Sequence, residues 1–403
     1  MKTFAVNTIV ARCTMTMLCI LVASLQVLFA QTPRIQITDS ARIEILNTGS
    51  SIYIGRHAGA LDQLIQGGVH HRNIGIGDST LRRSSTGIWN IAIGHQALEE
   101  GYTMSGSSAT ANVAIGTFSL RGALTGFYNT AVGHVALANL EGPSQANTAI
   151  GAESLLNLAS GSFNTSIGAY ALNKLTSGSR NIALGQSALY NLLNGGHNVA
   201  IGSNAQFSDT SGAYSVAVGF HAMRGASGKD HVVAVGDSAL ASNGQGADNA
   251  LQGFRNVAVG SRALAYNTLG AANTAIGWQA AYHNTTGSAN TVLGAFAMTA
   301  NTTGHSNTAI GTQALTTNDD GDHNTAIGNG ALFSNTEGNF NTALGSESLY
   351  VNTEGISNVA LGNFALYSNV SGSYNTAVGI SALGNNTTGT NNTVVGRDAY
   401  GYA

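Results

Sequence analysis

Three acidic side chains, Asp319, Asp320 and Asp322, lie close together in the segment NDDGD. Carboxylate oxygens at this density could coordinate Ca²⁺, which prefers several oxygen ligands. The glycine- and aspartate-rich nonapeptide of calcium-binding β-rolls is absent, however, and the corresponding segments nearby read NTTG or NTEG. The pattern therefore predicts a solvated turn, and we expect neither a metal site nor another cofactor.

A second group of side chains could bind a ligand through aromatic and cationic contacts. Its members occupy one position of a repeating unit, directly before a recurring Asn. They are Tyr128, Phe163, Arg180, His197, Tyr214, Arg255, His323, Phe340 and Tyr374. If the units stack, these residues form one line, here called the ridge, and such residue types are favoured at interaction surfaces. We predict that the ridge contacts a ligand; the alternative is that it covers a turn or lies between subunits.

The spacings typical of catalytic sites are missing. The histidines show no metal-ligand spacing, and HExxH does not occur. Acyltransferases built on six-residue repeats need an aliphatic residue every six positions, whereas stepping from Ile310 leads to Thr316 and then Asp322. Cleavage of polysaccharides on a solenoid would need clustered carboxylates, but the acidic residues are sparse and unaligned. We therefore expect no enzyme.

The elements that position the ridge come from an internal repeat. A glycine ends each NTAIG-like string, and from Gly151 to Gly236 and again from Gly260 to Gly396 every step is seventeen residues. The full set is Gly55, Gly77, Gly94, Gly116, Gly133, Gly151, Gly168, Gly185, Gly202, Gly219, Gly236, Gly260, Gly277, Gly294, Gly311, Gly328, Gly345, Gly362, Gly379 and Gly396. Longer steps mark insertions near 99–111 and 241–255, which would protrude as surface loops or carry function.

The columns of the repeat indicate strands and turns. Ile, Val or Leu precedes each glycine, and a small residue and usually Leu follow it, as at Ala314 and Leu315. Frequent Gly and Asn oppose helices and suit tight turns. The sequence therefore predicts an all-β fold, a parallel β-solenoid of about twenty 17-residue coils over 52–403.

The direction of each side chain follows from the alternation along a strand. We expect the aliphatic residue before the glycine and the residue two positions earlier to face inward, and the Ala between them to face outward. The exposed Ala column would then lie against another surface, which predicts side-by-side association of several chains. Asn residues of successive coils should form side-chain ladders.

The first thirty residues differ in kind from the repeats. Lys2 and Arg12 precede the apolar run MLCILVASLQVLFA, which ends at Ala30. This pattern predicts a signal peptide over 1–30, with cleavage near Ala30 and a secreted or outer-surface location. Both cysteines lie within this segment, so the mature chain would have no disulfide.

Composition limits the partners. Only 9% of the residues are charged, the formal net charge is -3, and no basic cluster occurs, which argues against nucleic acid. No segment after the leader is apolar enough to cross a bilayer as a helix, so we expect no transmembrane anchor in this chain. The alternating strings RIQIT and RIEIL within 31–51 predict capping strands that cover the first coil.

The strings NTAIG, SVAVG and NVALG resemble the head repeats of YadA-like trimeric autotransporter adhesins over 52–403. The resemblance implies a left-handed parallel β-roll and three identical chains packed side by side as a homotrimer. It also implies an exported bacterial protein that attaches to cells, host matrix or other surfaces. Coils in that family are mostly shorter than seventeen residues, so the return loop differs here.

Two other functions fit the same repeat. One is a purely structural role as a fibre or shaft component, which the sequence barely separates from adhesion. The other is binding of ice or another crystal by a regular array, because Thr recurs three positions before the glycine, as at Thr274 and Thr308. Val216 stands in the same column, which we expect to face inward, and adhesion is therefore preferred.

Overall fold

The structure of the protein is a computed structural model. It describes residues 51–60, 71–83, 87–99, 109–123, 125–226, 228–247 and 252–400. The predicted signal peptide and all but Ser51 of the predicted capping strands lie outside these residues. So do 100–108 and 248–251, the central parts of the two insertions.

The described residues form twenty strands of three residues, and each strand ends directly before a repeat glycine. The strands are β1 (Ile52–Ile54), β2 (Ile74–Ile76), β3 (Ile91–Ile93), β4 (Val113–Ile115), β5 (Thr130–Val132), β6 (Thr148–Ile150), β7 (Thr165–Ile167), β8 (Ile182–Leu184), β9 (Val199–Ile201), β10 (Val216–Val218), β11 (Val233–Val235), β12 (Val257–Val259), β13 (Thr274–Ile276), β14 (Thr291–Leu293), β15 (Thr308–Ile310), β16 (Thr325–Ile327), β17 (Thr342–Leu344), β18 (Val359–Leu361), β19 (Thr376–Val378) and β20 (Thr393–Val395).

Every strand pairs in parallel with the next strand along the chain. Between β15 and β16, for example, Thr308 pairs with Thr325 and Ile310 with Ile327, so equivalent residues of successive repeats are neighbours. The prediction of an all-β parallel solenoid with one coil per repeat is confirmed. The described coils contain no helix, and thus none there that is long and apolar enough to cross a membrane.

The predicted direction of the strand side chains is wrong. In β2 to β19 the central residue, usually Ala, is the buried one, whereas its two neighbours are half-buried or exposed. In β6, for example, Thr148 is half-buried, Ala149 is buried and Ile150 is exposed. The reason is the narrow interior of the coil. The central residue faces the small residue three positions after a repeat glycine, as shown by Ser154 Oγ and Ser166 Oγ, which lie 2.7 Å apart. Only small side chains fit between walls this close.

The interior is filled by columns of identical residues. The residue four positions after each glycine is Leu in fourteen of the twenty repeats, and these Leu side chains are fully buried, as at Leu315, Leu332 and Leu349. These Leu side chains and the facing Ala columns make one continuous hydrophobic core along the coils. Because each coil contributes few large side chains, its stability depends on its neighbours above and below.

A ladder of buried Asn side chains lies beside this core, as predicted. Asn324 Oδ1 accepts the backbone N–H of Asn341 at 3.0 Å, and Asn324 Nδ2 donates to the carbonyl of Gly338 at 2.7 Å. The backbone N–H of Asn324 donates to Asn307 Oδ1 at 2.9 Å. Each Asn amide therefore forms hydrogen bonds with a backbone N–H and a backbone carbonyl that strand pairing leaves unpaired.

A second column, seven positions after the glycine, changes character along the chain. It is Leu in the earlier coils, as at Leu175 and Leu192, and Asn in the later ones, as at Asn318 and Asn335. Asn335 Nδ2 donates to Asn318 Oδ1 at 2.8 Å, so the later coils contain two parallel Asn ladders. Asp209 stands at the changeover, where its buried carboxylate accepts bonds from Gln206 Nε2 and the N–H of Gly212.

Candidate functional site

The ridge is built on an unusual backbone conformation. Its residues have positive φ, for example 62° at Phe163, 61° at Arg180 and 63° at His197. Residues with side chains rarely adopt this left-handed region. Here the backbone N–H bonds to the preceding coil, as from Arg180 to the carbonyl of Ser162 at 3.0 Å, and holds the conformation. The side chain consequently leaves the coil at the same point in every repeat.

Four of the predicted residues, with one more, form a continuous stack. Arg180 lies over the ring of Phe163, with 5.9 Å between the guanidinium carbon and the ring centroid. Arg180 Nη1 is 3.5 Å from His197 Nε2. The rings of His197 and Tyr214 are stacked at 4.8 Å, and those of Tyr214 and His231 at 5.3 Å. Five consecutive coils therefore present one unbroken line of aromatic and cationic groups.

The other ridge residues are placed less uniformly. His323 and Phe340 form a second stack with centroids 5.1 Å apart. Tyr128 instead contacts the neighbouring ring of Phe127 at 5.6 Å, and Arg255 lies 5.0 Å from the ring of Phe254. Tyr374 is 57% exposed and has Ser357 and Asn391 as its counterparts in the adjacent coils. The ridge is thus two stacks and three separate side chains.

Stacking determines which part of each ring can meet a ligand. Rings with interplanar angles of 14° and 16° cover one another's faces between His197 and His231. Their edges are therefore the parts left for a ligand, beside the Arg180 guanidinium, which already contacts His197 Nε2 at 3.5 Å. Such a line suits polar and charged contacts along an extended partner more than stacking against a ring of the ligand.

Sequence reasoning missed three members of the ridge. His231 precedes Val232 where other coils carry Asn, so the Asn pattern did not reveal it. Trp89 and Arg72 stand at the same position in earlier coils, with φ values of 60° and 54°. Counting back five residues from each repeat glycine would have identified all three.

A second aromatic column lies five positions after the repeat glycine and was also missed. Tyr190 and Phe207 are stacked at 5.3 Å, with Lys174 Nζ 5.2 Å from the Tyr190 ring centroid. Further along, Phe333 and Tyr350 are stacked at 4.9 Å. This column is half-buried and lies on the other side of the glycine turn from the ridge.

Two groups near this column have shifted pKa values. A hydrogen bond with Tyr266, together with partial burial, raises the pKa of Tyr282. Partial burial and the positive charge of Arg224 lower the pKa of His221, against the opposing effect of Asp237. His221 is consequently held toward its neutral form at neutral pH.

The outward face of the strands is a third candidate surface. Its side chains are the residue before each glycine and the residue two positions earlier, and none in the described strands is charged. Even within the sheet, Ile115 is 36% exposed and Leu344 46% exposed. This face, here called the strand face, is a long uncharged surface of Ile, Val, Leu and Thr.

The aspartates of NDDGD serve the loop that contains them. Asp322 Oδ1 accepts the backbone N–H of His305 at 2.6 Å. The Asp319 carboxylate accepts the Thr302 hydroxyl, and the Asp319 backbone carbonyl accepts the Thr302 N–H. Both groups therefore bond to the preceding coil. Across the described ranges, no three His, Cys, Asp or Glu side chains come together as a metal site would require.

The bases of both insertions are anchored in the solenoid. Glu99 is buried between two cations, with Arg82 at 3.5 Å and Arg121 at 3.2 Å. Asn243 enters the second Asn ladder, where its Oδ1 accepts Nδ2 of Asn267 at 2.9 Å. A comparison of the chain with protein-family models found no matching family, and a comparison with curated proteins found no match either.

Proposed function

We propose that this chain is an exported, non-catalytic, adhesin-like protein that attaches to cells, matrix or other surfaces. We further propose that it works as a side-by-side homotrimer of left-handed β-rolls of the YadA-like head type. The observation that carries the proposal is the division of each coil into two outward surfaces, the uncharged strand face and the ridge. The first suits assembly, and the second suits contact with a partner.

The size of the strand face supports assembly. At a strand spacing of about 4.8 Å, twenty strands extend it to about 95 Å, and a width of about 10 Å gives on the order of 900 Å². Monomeric proteins rarely expose apolar patches beyond about 300–600 Å². A stable interface buries about 800 Å² per partner. Association through the strand face removes this surface from water. The Ala column adds nothing to the contact between chains, because it is already buried inside each coil.

The regularity of the face favours a second copy of the same chain as its partner. Equivalent residues recur once per coil, so two such faces have matching spacings along their whole length. The described strands carry no charge that would have to be paired across the contact. The number of chains, three, comes from the resemblance of the repeats to the YadA-like heads.

Lysine on the strand face should separate the chains. We expect the triple variant Ile150→Lys, Ile201→Lys and Ile276→Lys to shift the mass in solution from three chains to one, because each lysine would be buried unpaired at the contact. Light scattering or sedimentation measures this directly. In the single chain these side chains point outward, at 37–39% exposure, so the coils should still fold.

The matched control places three lysines at equally exposed aliphatic positions off the strand face: Leu193→Lys, Val370→Lys and Ile380→Lys. This variant should keep the mass of the unaltered protein. A protein that is already monomeric before any substitution, or one whose mass both variants leave unchanged, would rule out assembly through the strand face.

Removal of the central stack should weaken attachment. We expect Phe163→Asn, His197→Asn and Tyr214→Asn together to lower binding to collagen- or fibronectin-coated wells and to cultured cells at least about tenfold, since aromatic residues dominate contact energies. Asn suits this backbone, because Asn391 occupies the same position with a φ of 58°.

For comparison, three exposed aromatics elsewhere are replaced, as Phe220→Ser, Tyr266→Ser and Trp278→Ser. Replacing the ridge residues should reduce binding, whereas replacing these three rings should not. Equal binding by the unaltered protein and the ridge variant would remove the ridge from the attachment mechanism.

A second candidate, binding of ice or another crystal, gains support from the corrected side-chain directions. Thr308, Thr325 and Thr342 lie on the outward strand face in consecutive coils, not inside as the sequence predicted. A regular outward Thr array is what such binding needs, but assembly would cover it. Thermal hysteresis of a monomeric protein would favour this candidate over adhesion, and a trimer without hysteresis would favour adhesion.

A further inference from the structure

The second aromatic column ends abruptly near the last coils. Phe333, Tyr350 and Tyr367 form three consecutive stacked rings, with centroids 4.9 Å and 5.3 Å apart. In the next coil the equivalent position, five residues after Gly379, is Gly384. The ring that would cover the free face of Tyr367 is therefore missing, while the coil that would carry it is present.

The missing ring leaves an open cavity of about 330 Å³. Tyr367 and Phe364 supply aromatic surface, and Gly384 forms part of the wall because it has no side chain. The polar lining comes from Ser368, Ser381, Asn385 and Asp398. A volume near 300 Å³ is at the lower end of the range for small-molecule sites, and this lining is more polar than the usual, mostly apolar one.

The height and chemistry of the cavity define what can fill it. One coil spacing, about 4.8 Å, separates successive ring positions, which is the thickness of a single six-membered ring with its hydrogens. Hydroxyl, amide and carboxylate groups around an aromatic face can exchange several hydrogen bonds with a ligand rich in hydroxyl groups. A purely aromatic ring would fill the height but offer no hydrogen-bonding groups to Ser368, Ser381 and Asp398.

We propose that this cavity binds one pyranose unit of a surface glycan, with a face of the sugar ring against Tyr367. Its hydroxyl groups bond to Asp398 and to the neighbouring Ser and Asn side chains. Arg397 Nε lies 3.2 Å from Asp398 Oδ2 and orients the carboxylate. The site does not depend on the ridge or on the association of chains, and it would stand even if the proposed adhesin-like trimer failed.

A second cavity at the end of an aromatic stack lies in the middle coils. The stack of Tyr190 and Phe207 stops where the next coil has Arg224 at the equivalent position, followed by Gly225, and a cavity of about 340 Å³ opens beside the arginine. Its lining includes Ser208, Ser238 and Gln245 beside the aromatic ring. Two cavities thus occur where an aromatic stack ends. The cationic Arg224 makes the second one suited to an acidic sugar.

Filling the gap tests the proposal. Ligand-observed NMR and calorimetry with the full chain would use the methyl glycosides of glucose, galactose, mannose and N-acetylglucosamine. We expect at least one to bind with a dissociation constant of about 1 mM, as befits a small open site. In Gly384→Tyr, a tyrosine would continue the stack as at Tyr350 and Tyr367, and binding should fall at least tenfold. Gly384 is outside the left-handed region, and a Cβ there would lie 3.1 Å from the Ser381 carbonyl oxygen, so the side chain requires a shift of only a few tenths of an ångström.

The matched control, Thr316→Tyr, adds a ring at the opposite end of the same stack, before Phe333, and should bind sugar like the unaltered protein. Asp398→Asn is an independent variant that leaves the fold unaltered and should weaken binding at least threefold. Absence of binding by every glycoside would overturn the proposal. So would equal binding by Gly384→Tyr, or binding of N-acetyl-tyrosine amide in place of the sugars, which would indicate a peptide ring as the occupant.

Discussion

Replacing Asn324 by Leu is expected to destabilise the solenoid by about 1–3 kcal/mol, since it leaves the buried backbone N–H of Asn341 without a partner. The backbone N–H of Asn341 would lose Asn324 Oδ1, which it contacts at 3.0 Å. The carbonyl of Gly338 would lose Asn324 Nδ2, at 2.7 Å, but would keep its second donor, Asn335 Nδ2, at 2.9 Å. The apolar side chain cannot replace either bond. The midpoints of thermal and chemical unfolding measure the loss.

The control is Asn329→Leu, an exposed Asn of the same coil whose change should stay within about 0.5 kcal/mol. A further variant, Asn324→Asp, separates hydrogen bonding from shape. Its carboxylate can accept from Asn341 but cannot donate to Gly338, and burial beside a carbonyl should raise the pKa of the carboxyl above its unfolded value.

The sign of the resulting pH dependence follows from that raised pKa. A group whose pKa is higher in the folded state favours folding below its unfolded pKa, and this contribution is lost as the pH rises through the folded pKa. Asn324→Asp should therefore be closer in stability to the unaltered protein at acidic pH than at neutral pH. Equal destabilisation at both would mean that the amide fills space without donating a required bond.

Substitution of Gly311 by Ala should cost about 3 kcal/mol or more, because two effects combine. The residue has a φ of +130°, a conformation that residues with side chains rarely adopt. A Cβ would also lie 2.5 Å from the carbonyl oxygen of Gly328 in the next coil. Backbone atoms cannot move aside individually, so adjacent coils would have to separate. Hydrogen exchange should locate the loss of protection at these two coils.

The last repeat glycine provides the matched control. Gly396 has nearly the same φ, +131°, but the nearest atom to its Cβ position is 3.6 Å away, at Ala399. Gly396→Ala should therefore show only the backbone strain, about 1–3 kcal/mol. Gly246 lies in a surface loop, has a positive φ, and has no atom within 4 Å of its Cβ position. Gly246→Ala therefore measures the cost of a positive φ without a steric clash. An equal loss in all three variants would show that close stacking of the glycines is unimportant.

Much of the fold could be predicted because the same sequence pattern recurs at a constant interval in most coils. The constant interval between repeat glycines fixed the register of neighbouring strands, such as Thr308 beside Thr325. The Asn column predicted a ladder, and the bonds from Asn307 to Asn324 and on to Asn341 confirm it. The position of the ridge along one line also follows from stacking, although its contact with a ligand remains a prediction.

The direction of the strand side chains could not be predicted in the same way. The alternation of side chains along a strand requires Ala309 and Ile310 to point to opposite sides. It does not determine which of the two sides is the interior. Hydrophobicity favoured Ile, whereas the short distance between the two walls of the coil favours a small residue such as Ala309, which is fully buried. The same correction moved the Thr column outward and changed which face is available for assembly.

The sequence by itself determined the interval, the order and the register of the coils, because those depend on local turn chemistry repeated at a fixed spacing. Only the tertiary structure decided what faces inward and what meets across coils: the stack from Phe163 to His231, the second Asn ladder and the cavity at Gly384. These depend on distances between walls and between rings of different coils, which no single repeat contains.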